Sequence, residues 1–144
     1  MRILPALLLL FSALSHSTDS ISVSGAWLRA VAPGQDTSAA YMTLKNTSAQ
    51  ARRLLAISSP QARAIEVHES IQVDGMWRMR RLTDVTVAPG ANFNLQPGGA
   101  HLMVFGLAPG LRHDDVVSFT LQLDNNEKIL VSAEVRAPGQ SAGH

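Results

Sequence analysis

Apolar residues recur at alternate positions in five stretches of the chain: Ile21, Val23 and Trp27; Ala40, Met42 and Leu44; Ile65 and Val67; Val117, Phe119, Leu121 and Leu123; and Ile129, Val131, Ala133 and Val135. Successive side chains of a strand point to opposite faces, so this alternation predicts half-buried strands, each with its apolar set on a core. No stretch of comparable length carries helical spacing, and the expected class is all-β. Turn pairs separate the apolar stretches: Pro33-Gly34, Asp74-Gly75, Pro89-Gly90, Pro97-Gly98-Gly99, Pro109-Gly110, Asn125-Asn126 and Pro138-Gly139. Proline presets φ at the first central position of a turn and glycine permits positive φ at the second. Ala-Pro-Gly occurs four times, beginning at 32, 88, 108 and 137, but the intervals are irregular and the flanks do not match, so turn chemistry rather than an internal repeat accounts for it. About eight short strands with turns at this density predict a single-domain, two-sheet sandwich with Greek-key connections.

The first residues change the picture of where the protein works. Met1-Arg2 is followed by the apolar run Ile3 to Phe11 and then by small residues, Ser12-Ala13-Leu14-Ser15. This is the layout of a secretory signal peptide, and the run is short for a bilayer span. The expected organisation is a signal peptide at 1–17 with cleavage near 15–17, a β-sandwich at 18–136 and a disordered Gly-, Ser- and Ala-rich tail at 137–144. Without Arg2, the remaining Lys and Arg equal the eleven Asp and Glu in number. No basic face offers itself to nucleic acid. The mature protein is expected to be soluble, monomeric and exported. The chain has no cysteine, which excludes disulfide support, thiol redox chemistry and the thiolate of a blue-copper electron-transfer site.

Two histidines and two methionines carry the candidate chemistry. They stand as His68, ten residues, Met79, twenty-one residues, His101, one residue, Met103. Taken singly, each reads as an ordinary surface histidine or a methionine filling the core. Together they make a soft, uncharged set of two imidazoles and two thioethers, and such donors select Cu(I) over cations that prefer oxygen. In Gly99-Ala100-His101-Leu102-Met103-Val104-Phe105, alternation puts His101, Met103 and Phe105 on one face, with the first two close enough to reach one ion. In Ile65-Glu66-Val67-His68-Glu69, the apolar pair turns His68 to the other side together with Glu66. Segments 63–71 and 76–82 flank Asp74-Gly75 and can pair as a hairpin, drawing His68 and Met79 towards each other, while Met76 faces away from Met79.

The spacing His68-x10-Met79-x21-His101-x-Met103 resembles the signature of the periplasmic copper chaperones called PCu(A)C. Ala26-Trp27-Leu28-Arg29-Ala30 and Ala39-Ala40-Tyr41-Met42-Thr43-Leu44-Lys45-Asn46 resemble the opening strands of that family, so the likeness covers nearly the whole mature chain. The resemblance implies a cupredoxin-like β-sandwich, with His68, Met79, His101 and Met103 as the metal ligands. It further implies a non-enzymatic Cu(I) carrier that supplies the CuA centre in subunit II of cytochrome c oxidase or another copper-accepting protein. Some members add a His- and Met-rich tail that takes up Cu(II); only His144 stands there in this chain. Two other classes compete: a copper electron-transfer protein, opposed by the missing cysteine, and a structural sandwich with no ligand.

Other residues read more plainly. Arg112-His113-Asp114-Asp115 follows a Pro-Gly turn and reads as a polar loop. Met42 falls in phase with Ala40 and Leu44 and is expected in the core. Trp77 is expected to pack against the sandwich rather than to cover a bound ion. Asn46-Thr47-Ser48 matches a glycosylation acceptor.

Overall fold

The computed structural model describes residues 19–137. The signal segment at 1–17, the turn at Pro138-Gly139 and all of the 137–144 tail except Ala137 lie outside the described residues. Ten strands and no helix form among those described: β1 (Ile21–Arg29), β2 (Ser38–Asn46), β3 (Arg52–Ser58), β4 (Ala64–Val73), β5 (Met76–Arg81), β6 (Val85–Val87), β7 (Asn92–Leu95), β8 (His101–Phe105), β9 (Val116–Leu123) and β10 (Lys128–Arg136). The count exceeds the sequence expectation because β6 and β7, three and four residues long, are too short to display alternation.

The strands hydrogen-bond in the order β5-β4-β8-β2-β1-β10-β9-β3-β6, with β7 also on β2. All but one of these pairings are antiparallel. The exception is a three-residue parallel seam, Trp27–Arg29 of β1 against Glu134–Arg136 of β10. This seam joins a layer formed by β5, β4, β8, β2 and β1 to one formed by β10, β9, β3 and β6, in a cupredoxin-like β-sandwich.

The core follows from the alternation. Phe119, Leu121, Ile129, Val131, Ala133 and Val135 on one layer face Leu28, Ala40, Met42, Leu44, Leu102 and Val104 on the other, all buried. Met42 is in the core, as its phase predicts. Trp27 does not share the face of Ile21 and Val23, contrary to the simple period-two reading. The β1–β2 register runs Ile21 to Asn46 and Val23 to Leu44, then slips between Ser24 and Trp27, so that Trp27 pairs with Tyr41 and Leu28 with Ala40. Gly25, at φ +64°, lies in this bulge. One extra residue reverses the parity of everything after it. Leu28 therefore enters the core, and Trp27 stacks on Tyr41 at the outer face with ring centroids 4.6 Å apart.

Asn46 is not a glycosylation acceptor in the folded chain. Its side chain is fully buried and its amide nitrogen donates to the carbonyls of Gln50 and Val87 at 2.7 and 2.9 Å. Its amide oxygen accepts from the backbone N–H and hydroxyl of Ser48 at 2.9 and 2.7 Å. The side chain thus pins the start of the β2–β3 connection to β6.

A second polar tie closes the N-terminal end of β1. The hydroxyl and N–H of Ser20 both donate to Glu127 Oε2, at 2.5 and 3.2 Å, which holds that carboxyl below the usual range against the opposing effect of burial. A depressed carboxyl stabilises the fold above its unfolded pKa, and the contribution disappears as pH falls through the lower, folded value. Glu127→Gln is therefore expected to flatten the acid limb of the stability–pH curve below about pH 5, where an ordinary glutamate begins to take up its proton. Urea unfolding at a series of pH values would reveal an unaltered acid limb if the tie contributed nothing.

Candidate metal centre

Asp74 and Gly75 both have positive φ, at 53° and 76°, the geometry of a two-residue type I′ hairpin turn. It pairs β4 with β5 in the expected hairpin, in the register His68–Arg81, Ser70–Met79, Gln72–Trp77 and Val73–Met76. On its other side β4 pairs with β8, placing Glu66 opposite Met103 and His68 opposite His101. Directly paired residues share a face, and so do residues two apart along a strand. Glu66, His68, Met79, Arg81, His101, Met103 and Phe105 consequently all belong to the outer face of the β5-β4-β8 layer. The opposite face carries Val67, Leu102 and Val104 into the core. Met76 lies on the face away from Met79, as the odd spacing requires.

The fold therefore brings the four sequence-predicted residues onto one surface. His68 and His101 are direct cross-strand partners. Met79 sits diagonally to His68, because it pairs with Ser70, and Met103 sits diagonally on the other side, because it pairs with Glu66. The two imidazole centroids are 6.3 Å apart. A metal–nitrogen bond of about 2.0–2.1 Å, with roughly 1.1 Å more to each ring centre, puts two imidazoles in line across one ion at about 6.2–6.4 Å. The spacing admits a shared ion.

Hydrogen bonds set the direction of both rings. His101 Nδ1 lies 3.0 Å from the carbonyl oxygen of Gly99. A carbonyl only accepts, so the neutral ring carries its proton on Nδ1 and its lone pair on Nε2. His68 Nε2 lies 2.8 Å from Glu66 Oε2, which places the proton on Nε2 and the lone pair on Nδ1. That Nδ1 is buried and has no hydrogen-bond partner. A carboxylate or carbonyl behind one ring nitrogen, with the other left as a donor, is the arrangement that metal-binding histidines adopt. Glu66 is itself tethered, its second oxygen 3.4 Å from Arg81 Nη1. The bond from His68 and the charge of Arg81 hold the Glu66 carboxyl below its ordinary range, against desolvation. The carboxylate is thus kept as an acceptor for His68.

Exposure is uneven across the set. His101 is 9% exposed, whereas Met79 is 54% exposed on an edge strand. Phe105 stands 6.4 Å from the His68 ring and borders the site on its inner side. Trp77 is 69% exposed and packs against no core, contrary to expectation, because its pairing with Gln72 turns its side chain to the outer face of the sheet. Among the described residues, no three His, Cys, Asp or Glu side chains gather as they would around a hard cation. His113 stands apart, beside Asp114 at 3.2 Å. A cleft of about 680 Å³ between the Pro33-Gly34 and Pro109-Gly110 loops is lined by none of the four residues.

Sequence reasoning placed Glu66 on the face of His68 without assigning it a role, and it passed over Arg81. The i, i+2 spacing of a carboxylate and a histidine in one strand is the signal for the first. Nothing local signals Arg81, whose approach depends on the hairpin register.

Comparisons with known proteins agree with this fold. The LpqE-like lipoprotein family matches residues 21–135. A protein of Leifsonia xyli subsp. xyli named as a lipoprotein, Lxx21020, is 28% identical over 119 residues, spanning 82% of this chain and 70% of its own length. RP573 of Rickettsia prowazekii is 29% identical over 99 residues, and this chain spans 55% of its length. Among solved structures, Cu(I)-bound DR1885 from Deinococcus radiodurans is 30% identical with a TM-score of 0.65, covering 81% of this chain and 78% of that one. The copper-bound PCuAC domain of PmoF2 superimposes with a TM-score of 0.70 at 20% identity, over 85% of this chain and 97% of that domain.

Proposed function

Because the chain belongs to the LpqE-like family, of the PCu(A)C type, we propose that it is a Cu(I) carrier, with His68, Met79, His101 and Met103 holding the ion. The observation that carries this reading is that the four residues share one sheet face, with the His68 and His101 rings 6.3 Å apart and the lone pair of each imidazole left free. The Cu(I)-bound state of its structural relative DR1885 supports the choice of metal. Two thioethers and two neutral imidazoles add no charge, so the ion keeps its own. Such a set suits low-coordinate Cu(I) and offers little to Cu(II), which favours harder nitrogen and oxygen donors.

The arrangement also suits release. His101 and Met103 form the inner, covered side of the site, and Met79 the side open to solvent. A thiolate binds Cu(I) more strongly than a thioether, so an acceptor's cysteine that reaches the ion from the Met79 side would draw it downhill. The protein binds and delivers without turnover. Its expected place is the periplasm, after export by the N-terminal segment, and its expected recipient is the CuA site of cytochrome c oxidase subunit II. No helix among the described residues is long and apolar enough to cross a membrane.

Titration of Cu(I) against a competing chromophoric chelator tests the reading, with His68→Ala, Met79→Ala, His101→Ala and Met103→Ala alongside the parent. Unchanged affinity in all four would sink the assignment, and an intense blue colour with Cu(II) would favour an electron-transfer protein instead. Glu66 supplies a finer test. Glu66→Ala frees the His68 ring to turn and is expected to weaken Cu(I) binding about 10- to 100-fold, the usual effect of losing a group that orients a ligand. Glu66→Gln keeps an accepting oxygen and should cost less. If the two variants bind as the parent does, Glu66 has no part in orienting His68.

A further inference from the structure

The edge of β5 is the most unusual surface of the molecule. This strand ends the hydrogen-bond order, so one side of it is unpaired, and all six of its residues are exposed. An open edge is a template for a further strand, and proteins commonly blunt it with proline, a bulge, a covering loop or charged side chains. Here the register with β4 is regular throughout, and the strand, Met76-Trp77-Arg78-Met79-Arg80-Arg81, contains no proline. Met76, Trp77 and Met79 are all more than half exposed.

The phase of the ladder determines which backbone groups are free. Leu82 N donates to Val67 O at 2.8 Å. Antiparallel pairs alternate between bonded and non-bonded, so Met76, Arg78 and Arg80 turn their backbone groups towards β4. Trp77, Met79 and Arg81 turn theirs to the open edge. The side chains of these same three residues lie on the face of the metal centre.

We propose that β5 receives an extended, acidic, cysteine-bearing segment of the copper acceptor as an added strand; this rests on the Cu(I)-carrier reading. Main-chain bonds to Trp77, Met79 and Arg81 would supply affinity, and alternate side chains of the guest would supply specificity. A guest residue opposite Met79 would share its face at about 4.5–5.5 Å between neighbouring strands, next to the ion's exposed ligand. Charge selects the guest. The strand carries three arginines and no carboxylate. Arg80 and Arg81 pair with Glu69 and Glu66, and Arg78 has no ion-pair partner among the described residues. A second copy of β5 would set arginines against arginines, which opposes self-association along this edge. An acidic strand would meet complementary charge. At handover the guest thiol loses its proton to solvent, its sulfur bonds to the ion, and the bond from Met79 sulfur breaks. Copper remains Cu(I) throughout, so no oxidant or reductant is consumed.

The test uses two synthetic dithiol peptides, one with glutamates between its cysteines and one with lysines there, mixed with the Cu(I)-loaded protein in stopped flow. Transfer to the glutamate peptide is expected to be about tenfold faster, with the difference shrinking as salt screens it. Arg78→Glu should reverse the preference. Trp77→Pro deletes an outward N–H without touching the β4 ladder; it should slow transfer to the glutamate peptide about tenfold, leave Cu(I) affinity unchanged, and differ from Trp77→Ala, which keeps the N–H. Hydrogen exchange on the metal-free protein gives a reading independent of copper, with the glutamate peptide protecting the amides of Met79 and Arg81. Equal rates for both peptides, or rates indifferent to Arg78→Glu, would overturn the proposal while leaving Cu(I) binding intact. A protein that binds no Cu(I) yet still protects those amides would overturn the carrier reading and leave the edge as a docking site. Absence of protection removes the added strand in either case.

Discussion

His101→Ala is expected to lower Cu(I) affinity by more than the roughly 10- to 100-fold that follows loss of a group merely supporting a ligand, and by more than Met79→Ala does. His101 is 9% exposed and its Nδ1 is held by the Gly99 carbonyl. Its lone pair is therefore presented at one angle, with little entropy left to lose on binding. Removing it leaves His68 without its cross-strand partner and puts a cavity where the donor stood. Met79, by contrast, is more than half exposed, so another ligand or a water can take its place at less cost. Each tenfold in affinity corresponds to about 1.4 kcal/mol. Chelator competition read by absorbance measures the order directly, and His101→Ala binding as tightly as the parent would remove His101 from the ligand set. Far-UV circular dichroism should show the sandwich unchanged, since the ring lies on the outer face of its sheet and Leu102 and Val104 keep their places in the core.

The largest effect on stability is expected from Asn46→Asp. The asparagine amide, itself fully buried, donates to two backbone carbonyls and accepts twice from Ser48. An aspartate of the same shape turns the donating end into an acceptor aimed at the oxygens of Gln50 and Val87. It also buries a charge with no cation among its partners. Each unsatisfied buried group costs about 1–3 kcal/mol and an unpaired charge more, so a loss of about 3–5 kcal/mol is expected near neutral pH. That is a large share of the roughly 5–15 kcal/mol that holds an ordinary domain together. The loss should shrink in acid, where the protonated carboxyl regains one O–H donor. Urea unfolding at pH 7 and at pH 4 tests both points, and a penalty below about 1 kcal/mol at pH 7 would mean that the site relaxes or admits water.

Much of this protein could be read from single strands. Alternation assigned Met42 to the core and turned His101, Met103 and Phe105 to one face, and Asp74-Gly75 marked the hairpin that β4 and β5 form. The reading failed where a residue's fate depended on an insertion or on its pairing with other segments. Trp27 left the predicted face because one extra residue at the Gly25 bulge reverses parity, and no composition signal measures register. Trp77 was expected to pack, yet its pairing with Gln72 puts its side chain on the outer face, away from the core. Asn46 looked like a surface acceptor by its motif, but its amide is consumed by carbonyls from two other segments.

The division between sequence and structure is sharpest at the metal centre. The donor atoms and their softness are properties of the residues themselves, and so is the absence of thiolate, so the sequence alone decides which ion the proposed ligand set would suit. Period two, a local property of extended backbone, decides which neighbours along one strand share a face. Only the tertiary structure sets His68 opposite His101, puts Met79 one step along the diagonal, and brings Arg81 to Glu66. These relations arise from hydrogen bonding between segments far apart in the chain, whose register is a collective result of core packing and turn geometry. The choice of lone pair on each imidazole depends on them in turn, because it rests on where a carboxylate and a carbonyl come to lie.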